Sequence, residues 1–170
     1  MTTPKKLDST EQNKIATITI LQCNLNRNRA RTHGILNHPD TQQYTILLLQ
    51  EQYWSPYITS SPMHHSWTLI EPAKATDREG KPRRPRSAIY INNTRLPMTA
   101  FAPVPTPLHD ITAITINTNN NDKPTLIVNI YNPQDEDLIT PMQEYLRTHL
   151  RLRKYGNIII AGDFNLHSPL

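Results

Sequence analysis

Polar side chains stand at the ends of four apolar segments, where they could carry out chemistry. Asn24 follows ITILQC, Glu51 follows ILLLQ, Tyr131 ends LIVNIY, and Asp163 and Asn165 follow IIIAG. Strand ends often carry ligand sites in α/β sheets, because the core fixes side chains there while the adjoining loops allow access. One carboxylate after a strand is usually a solvated turn, but several carboxylates with amide and phenol partners favour a functional site.

The residue types at these positions suit a hard metal ion that prefers oxygen ligands. Mg²⁺ is typically bound through one or two carboxylates, with water and substrate phosphate oxygens as the other ligands. Zn²⁺ is disfavoured because the seven histidines show no paired ligand spacing, and the adjacent His64 and His65 would face opposite sides of a strand. Cys23, the single cysteine, excludes a cysteine cluster. The sequence therefore predicts Mg²⁺, with Mn²⁺ as the alternative, acting as a Lewis acid that orients an attacking water.

Apolar patterns predict the strands that must position these residues. Residues 16–24 alternate at period two, ILLL reads as a strand buried on both faces, and the segments 110–116 and 125–131 read as a hairpin. The segment NRNRARTHGILNHPD predicts a helix stopped by Pro39. A second helix is predicted with Thr140 as N-cap, Pro141 as its first residue and Gly156 as its stop.

The order of these elements predicts the class of domain. Strand-rich runs with helices at intervals indicate a mixed-sheet, layered α/β domain over residues 15–170, preceded by a polar, disordered leader over residues 1–14. The sequence has neither a regular βαβ repeat nor a glycine-rich phosphate loop. A signal peptide is not apparent in the polar leader, and the longest apolar runs are too short to cross a bilayer, so we expect a soluble intracellular protein without membrane contact.

The net positive charge of the chain is compatible with an anionic partner. The 170-residue chain carries a formal net charge of +4, which suits nucleic acid but is also compatible with an ordinary basic surface. The loop DREGKPRRPR concentrates five of the cations, which are Arg78, Lys81, Arg83, Arg84 and Arg86. This loop either contacts the phosphate backbone of DNA or is a solvated, mobile segment.

Five segments together resemble a known superfamily. LQCNLN, LLLQEQYW, RSAIYIN, LIVNIYNP and IIIAGDFNLHSPL, in this order, are similar to motifs of the endonuclease/exonuclease/phosphatase superfamily. The sequence is most similar to the apurinic-type endonuclease domains of non-LTR retrotransposons, and the resemblance covers residues 15–170. The form GDFN-x-H-x-P is its most specific part.

The resemblance implies a fold and a role for each site residue. The fold would be a two-sheet β-sandwich flanked by helices, a four-layer αββα arrangement of the DNase I type. Glu51 would be the main Mg²⁺ ligand, and Asn24 would support the metal site. Tyr131 would contact the scissile phosphate, Asp163 would orient or deprotonate the attacking water, and Asn165 would hold the phosphate.

The implied activity is Mg²⁺-dependent nicking of DNA, leaving a 3′ hydroxyl for reverse transcription. DNA would be the partner, a reverse transcriptase domain would belong to a longer polyprotein, and the site of action would be the nucleus. Two alternatives stay open: a catalytically inactive, truncated remnant that binds nucleic acid weakly, and a phosphatase of small molecules.

The resemblance also implies a domain that is incomplete at its C-terminus. The superfamily's domain continues beyond the GDFN motif to a catalytic Asp and an Asp-His pair. We therefore expect the chain alone to fold poorly and to cleave slowly, with ILLL and NIIIA as the segments most exposed by incomplete packing.

Overall fold

Two four-stranded sheets form the body of the protein. The computed structural model describes residues 17–76, 79–106, 108–117, 123–133, 139–148 and 154–165. In chain order its strands and helices are β1 (Ile20–Asn24), α1 (Arg29–Asn37), β2 (Ile46–Gln50), β3 (Trp67–Ile70), β4 (Ala75–Thr76), β5 (Pro82–Arg83), β6 (Ser87–Asn92), β7 (Phe101–Val104), β8 (Ile111–Ile116), β9 (Thr125–Tyr131), α2 (Ile139–Thr148) and β10 (Asn157–Asp163). Short 3₁₀ turns occupy Pro39–Gln43 and Met98–Ala100.

Each sheet is mixed, with one parallel pair at its edge. The first sheet has the order β1-β2-β6-β3 and the second has the order β10-β9-β8-β7, while β4 and β5 form a small separate hairpin. The pairs β1–β2 and β10–β9 are parallel, and the other neighbours within the two large sheets are antiparallel. Because both parallel pairs run toward the same side of the molecule, β1, β2, β9 and β10 end near one another.

The core lies between the two sheets and is built from every second residue of each strand. Ile46 and Leu48 of β2 pack in one cluster with residues of the second sheet, including Ile114 and Ile127. The alternate residues of β2, such as Leu47, contribute to a separate cluster on the outer face, which contains Leu36 of α1. On the outer face of the second sheet, Tyr145 of α2 packs against a cluster of β8 and β9 residues. The layers are therefore helix, sheet, sheet and helix, and the predicted fold class is confirmed.

Local sequence explains several of these elements. Asn28 caps α1 by accepting a hydrogen bond from the backbone N–H of Arg31 at 3.0 Å, and the helix ends at Asn37, before Pro39 as predicted. The apolar run in β2 is buried on both faces, which also means that the expected exposure of ILLL is wrong. Residues 158–160 of β10, by contrast, are exposed, at 38–40% of their surface.

The start of α2 differs from the prediction. The helix begins at Ile139, so Thr140 is not its N-cap and Pro141 is not its first residue. Pro141 still lies in the first turn, where its missing N–H leaves no intrahelical hydrogen bond unmade. Residues 149–153, which precede the predicted stop at Gly156, lie outside the part of the chain that the structure describes. The predicted leader at residues 1–14 lies outside it as well.

A buried polar bridge joins the two sheets through their centre. Asn129 of β9 is fully buried, and its amide donates hydrogen bonds to the backbone carbonyls of Leu49 at 3.0 Å and Ala88 at 2.8 Å. Its carbonyl oxygen accepts a hydrogen bond from the side chain of Gln50, which in turn accepts one from Gln22 at 2.6 Å. The strands β9, β2, β6 and β1 are thereby tied together immediately below the ends where the predicted site residues stand.

Candidate active site

Asn24 and Asp163 bring the ends of the two sheets into direct contact. The Asn24 Nδ2 group, at the end of β1, donates a hydrogen bond of 2.7 Å to Asp163 Oδ2, at the end of β10. The two residues are 139 positions apart in sequence. The oxygen of the Asn24 amide accepts a hydrogen bond from the backbone N–H of Asn26 at 2.8 Å, which fixes the amide orientation. Two of the predicted site residues are thus neighbours in space.

Glu51 lies directly after β2 and is nearly buried. Arg27 Nε donates a hydrogen bond of 2.9 Å to Glu51 Oε1, and the Arg27 backbone N–H donates one of 2.6 Å to the Glu51 carbonyl. Besides burial, the charge of the same carboxylate acts on the phenol of Tyr131 and raises its pKa. Arg27 was not among the residues predicted from the sequence, because no local pattern distinguishes it from the other surface cations.

Tyr131 ends β9 and is held between acidic and basic groups. Burial raises the pKa of its phenol, and the Glu51 carboxylate raises this pKa further through its charge and its hydrogen bond, whereas Arg86 and Arg27 act in the opposite direction. The phenol therefore stays protonated at neutral pH and can donate a hydrogen bond. The guanidinium of Arg86 lies 4.9 Å from the centre of the Tyr131 ring, at cation–π distance.

Arg86 is itself held by a buried carboxylate, Asp110, which is only 1% exposed. Asp110 accepts hydrogen bonds from Arg86 Nη2 at 2.8 Å, Nε at 3.2 Å and the backbone N–H at 3.0 Å. Its own backbone carbonyl accepts a hydrogen bond from the Tyr131 N–H at 3.0 Å. The sequence analysis did not single out Asp110, and its position just before the strand segment ITAITI was the only available signal.

Asn165 and its surroundings complete the β10 side of the site. The Asn165 backbone N–H donates to Asp163 Oδ1 at 3.2 Å, and its side-chain amide donates to the Asn132 carbonyl at 2.6 Å. The Asn132 backbone N–H donates to the Asp163 carbonyl at 2.8 Å, and the Asn132 side-chain amide donates to the Phe164 carbonyl at 2.9 Å. Asn132, directly after Tyr131, is a further residue that the sequence analysis missed.

Backbone strain concentrates at this edge of the sheets. Of the five described non-glycine residues with positive φ, four belong to the site: Asn26 at 48°, Arg27 at 55°, Glu51 at 46° and Asn165 at 45°. Such conformations are unfavourable for residues with a Cβ atom, and they persist where the surrounding structure holds them. The clustering is typical of a functional site.

Gly162 allows β10 to approach β9 closely just before Asp163. Its φ is 145°, and a Cβ atom there would lie 2.0 Å from the backbone oxygen of Ile130. We expect Gly162→Ala to lower the free energy of unfolding by about 3 kcal/mol, because the clash is with backbone and the conformation is strained. Urea denaturation measures this change.

Gly34 provides the matched control for that substitution. It lies exposed in α1, and a Cβ atom there would have nothing within 4 Å. Gly34→Ala should leave the stability unchanged or raise it by up to about 1 kcal/mol, since alanine is the better helix former. Equal effects of the two substitutions would contradict the close approach at Gly162.

The side chains at the site have the chemistry that a hard divalent cation requires. Glu51 and Asp163 offer carboxylate oxygens and Asn24 offers an amide oxygen, while the described residues contain no group of three or more His, Cys, Asp or Glu placed to hold a metal. Mg²⁺ typically binds one or two protein carboxylates and completes its coordination with water and phosphate oxygens. The residues therefore fit Mg²⁺, which would compete with Arg27 for the Glu51 carboxylate.

The cations of the loop DREGKPRRPR differ in the groups that they contact. Arg86 is committed to Asp110, Arg84 Nη2 donates to the Gln52 carbonyl, and Lys81 pairs with Glu79 at 2.6 Å. Arg83 lies 3.8 Å from Asp110, and Arg78 is outside the described residues. Burial lowers the pKa of Arg84, and the neighbouring charges of Arg27 and Arg86 lower it further, whereas Glu51 raises it. The guanidinium groups of Arg27, Arg84 and Arg86 therefore lie near one another, and Glu51 and Asp110 balance part of their charge.

The fold is that of endonuclease/exonuclease/phosphatase proteins, as the sequence resemblance predicted. The chain is similar to the endonuclease domain of TRAS1, a telomere-specific non-LTR retrotransposon, with 21% identity and a TM-score of 0.57 over 89% of this chain and 62% of that chain. It is also similar to the AP endonuclease LMAP from Leishmania major, with 13% identity and a TM-score of 0.56 over 88% of this chain and 55% of that chain.

A third similar structure is an endonuclease/exonuclease/phosphatase family protein from Leptotrichia buccalis, with 19% identity and a TM-score of 0.53 over 88% of this chain and 67% of that chain. The chain spans less than two thirds of the length of the first two structures. Neither a protein-family model nor a curated protein matches the sequence. Among the described residues, no helix has the length and apolar character needed to span a membrane.

Proposed function

We propose that this protein is a Mg²⁺-dependent phosphodiesterase of the DNA endonuclease type. The observation that carries the proposal is the 2.7 Å contact between Asn24 and Asp163, which joins the two sheets beside Glu51. Oxygen donors, a protonated phenol and several guanidinium groups then share one edge of the sandwich. This combination suits a reaction in which negative charge accumulates on phosphate oxygens.

Each predicted residue has a role that its surroundings support. Glu51 and Asn24 would hold the Mg²⁺ ion, which when bound supplies Lewis-acid stabilisation of phosphate charge. Asp163, oriented by Asn24, would position or deprotonate the attacking water. Tyr131 would donate a hydrogen bond to a phosphate oxygen, because its raised pKa keeps the proton on the phenol. Asn165 would donate through its amide, of which one N–H is already bonded to the Asn132 carbonyl.

The guanidinium groups of Arg27, Arg84 and Arg86 form a cluster that would attract and orient the phosphate. Arg84 is half-buried beside Arg27 and Arg86, and the mutual repulsion of these groups contributes to its lowered pKa. A phosphate oxygen bound among them would relieve this repulsion, and the partial burial would strengthen the attraction. The cluster thus supports an anionic substrate independently of the metal.

DNA is the substrate that the similar structures favour. The TRAS1 domain is a retrotransposon endonuclease and LMAP is an AP endonuclease. By analogy, this chain would nick DNA in the nucleus and would belong to a longer polyprotein with a reverse transcriptase domain. These proposals are based on similarity of fold, whereas the residues of the site specify only a phosphate ester.

The test combines nicking with a direct measurement of metal binding. The chain should nick supercoiled plasmid slowly in the presence of Mg²⁺, and a chelator should abolish the nicking. Mg²⁺ at about 100 times its dissociation constant should also stabilise the fold by about 2.7 kcal/mol, detected as a higher melting temperature. Glu51→Gln should remove this shift, whereas Glu144→Gln, on the exposed surface of α2, should retain it. A chain that neither nicks nor gains stability with Mg²⁺ would favour the inactive alternative.

The contribution of the cationic loop is tested by the salt dependence of DNA binding. Arg86 is unsuitable for substitution because it neutralises the buried Asp110. The double variant Lys81→Ala/Arg83→Ala should have a shallower plot of the logarithm of the DNA-binding constant against the logarithm of the salt concentration. The slope should fall in magnitude by up to about 2, because each phosphate contact contributes about 0.9 to it.

The double variant Lys123→Ala/Lys154→Ala removes the same charge just before the starts of β9 and β10, at the opposite end of these strands from the site. It should leave the slope nearly unchanged. Equal slopes for both double variants and the wild-type chain would mean that the loop is only a solvated segment.

A further inference from the structure

Arg27 differs from the other arginines of the site because its partner is the carboxylate that would hold the metal. Arg27 Nε lies 2.9 Å from Glu51 Oε1, and the side chain of Glu51 is only 11% exposed. A carboxylate with so little access to water requires a compensating charge, and Arg27 supplies it. The two residues therefore form an ion pair in which one member is also the predicted main metal ligand.

The Arg27 member of this pair is accessible to water. Its side chain is 55% exposed, whereas that of Arg86 is 17% exposed and is bonded to the buried Asp110. An exposed guanidinium gains little from an ion pair, because water solvates it nearly as well. Arg27 can therefore leave Glu51 when another cation takes its place, while the loss of both cations would leave the carboxylate uncompensated.

The backbone around Arg27 would keep the residue at the site during such an exchange. The Arg27 N–H donates a hydrogen bond of 2.6 Å to the Glu51 carbonyl, and the Asn28 N–H donates one of 3.1 Å to the Leu25 carbonyl. These bonds hold both sides of the turn that carries Arg27. Only the side chain would change its position, and it would stay within reach of ligands bound beside Glu51.

The groups around Arg27 suit a phosphate. The charge of Arg27 acts on the guanidinium of Arg84 and on the phenol of Tyr131, which places it among the groups that would receive the substrate. A guanidinium binds phosphate oxygens through charge-assisted hydrogen bonds from its planar fork of N–H groups. The Nε of Arg27 is engaged by Glu51, so the complete fork becomes available only when this pair opens.

We propose that Arg27 is a phosphate-binding residue that Glu51 holds back until the carboxylate accepts Mg²⁺. Two cations on one nearly buried carboxylate repel each other, so Arg27 leaves Glu51 when the metal binds there. Its guanidinium then binds a phosphate oxygen of the DNA. The inference rests on the proposed function for the metal and for the phosphate, and it adds that each of the two ligands strengthens the binding of the other through Arg27.

The experiment measures binding instead of cleavage, in proteins that all carry Asp163→Asn so that the DNA remains intact. Titration calorimetry with Mg²⁺ alone gives the affinity for the metal. Fluorescence anisotropy with a short DNA duplex gives the affinity for DNA, once in chelator and once in saturating Mg²⁺. Unfolding curves confirm that each variant is folded.

Arg27→Gln should affect the two affinities in opposite directions. It should bind Mg²⁺ up to about fivefold more tightly, because the competitor for Glu51 is gone. Its affinity for DNA should be nearly unchanged in chelator, where Arg27 is paired with Glu51. In Mg²⁺ the affinity should fall about tenfold, the loss expected for one hydrogen bond to a charged group.

Arg31→Gln is the matched control, because Arg31 is an exposed arginine in α1, four positions further along the chain. The substitution removes the same charge from a side chain outside the Arg27–Glu51 pair. It should leave the affinity for Mg²⁺ nearly unchanged and should alter the affinity for DNA by the same factor with and without Mg²⁺. Arg27→Lys keeps a cation beside Glu51 and should recover part of the Mg²⁺-dependent DNA affinity.

Three outcomes would overturn the inference: a loss of DNA affinity in Arg27→Gln that is equal with and without Mg²⁺, an unchanged DNA affinity under both conditions, or a Mg²⁺ affinity equal to that of Arg31→Gln. A parent protein that does not bind Mg²⁺ would refute the proposed metal site and the inference with it. Cooperative binding that depends on Arg27, in a chain whose Asp163 form does not nick plasmid, would refute the proposed catalysis and leave the role of Arg27 standing.

Discussion

Asp163→Asn is expected to lower the rate of plasmid nicking by about 10²–10⁴-fold, the range attributed to general acid–base catalysis. Asparagine preserves the size of the side chain and can still accept the hydrogen bond from Asn24, so the contact between the sheets should survive. The substitution removes the negative charge that would orient and deprotonate the attacking water. Nicking under Mg²⁺ at saturating plasmid measures the effect on the turnover rate.

Asp40→Asn is the matched control for this substitution. Its side chain is 82% exposed in the 3₁₀ turn that precedes β2, whereas the site lies beyond the other end of that strand. It should nick at the wild-type rate. Unfolding curves should show similar stability for all three proteins, and undiminished nicking by Asp163→Asn would exclude this carboxylate from the reaction.

Asn129→Leu is expected to lower the free energy of unfolding by about 3–6 kcal/mol. The substitution removes three buried hydrogen bonds and leaves the Leu49 and Ala88 carbonyls and the Gln50 amide without their partner. Each buried polar group left unsatisfied costs about 1–3 kcal/mol, and leucine cannot replace any of these bonds. Urea denaturation, followed by circular dichroism, measures the change.

Asn117→Leu makes the same chemical change at an exposed position after β8 and should alter stability by no more than about 0.5 kcal/mol. A loss below about 1 kcal/mol in Asn129→Leu would show that the sheets do not depend on the polar bridge. The bridge also bears on the site, because Asn129 and Tyr131 share one face of β9 and Gln50 immediately precedes Glu51. Loosening it should therefore reduce nicking as well as stability.

Local sequence patterns were sufficient to predict several of the strands and the residue types that stand at their ends. Short runs of continuous or alternating apolar residues that are rich in β-branched side chains favour a strand, which is why β2 and the hairpin of β8 and β9 could be predicted. Pro39 limits α1 for a local steric reason. The same local reasoning failed at α2, because Thr140 and Pro141 are acceptable at more than one position of a first helical turn.

The way in which these elements meet depends on contacts between distant parts of the chain. The contact of Asn24 with Asp163, the anchoring of Arg86 by Asp110 and the bridge at Asn129 each join strands that are distant in sequence. Such pairs depend on the order of strands and on the alignment of one sheet against the other, and neither quantity is encoded within a short segment. An asparagine in an apolar strand or a cation in a loop acquires its role from the partner that the fold brings to it.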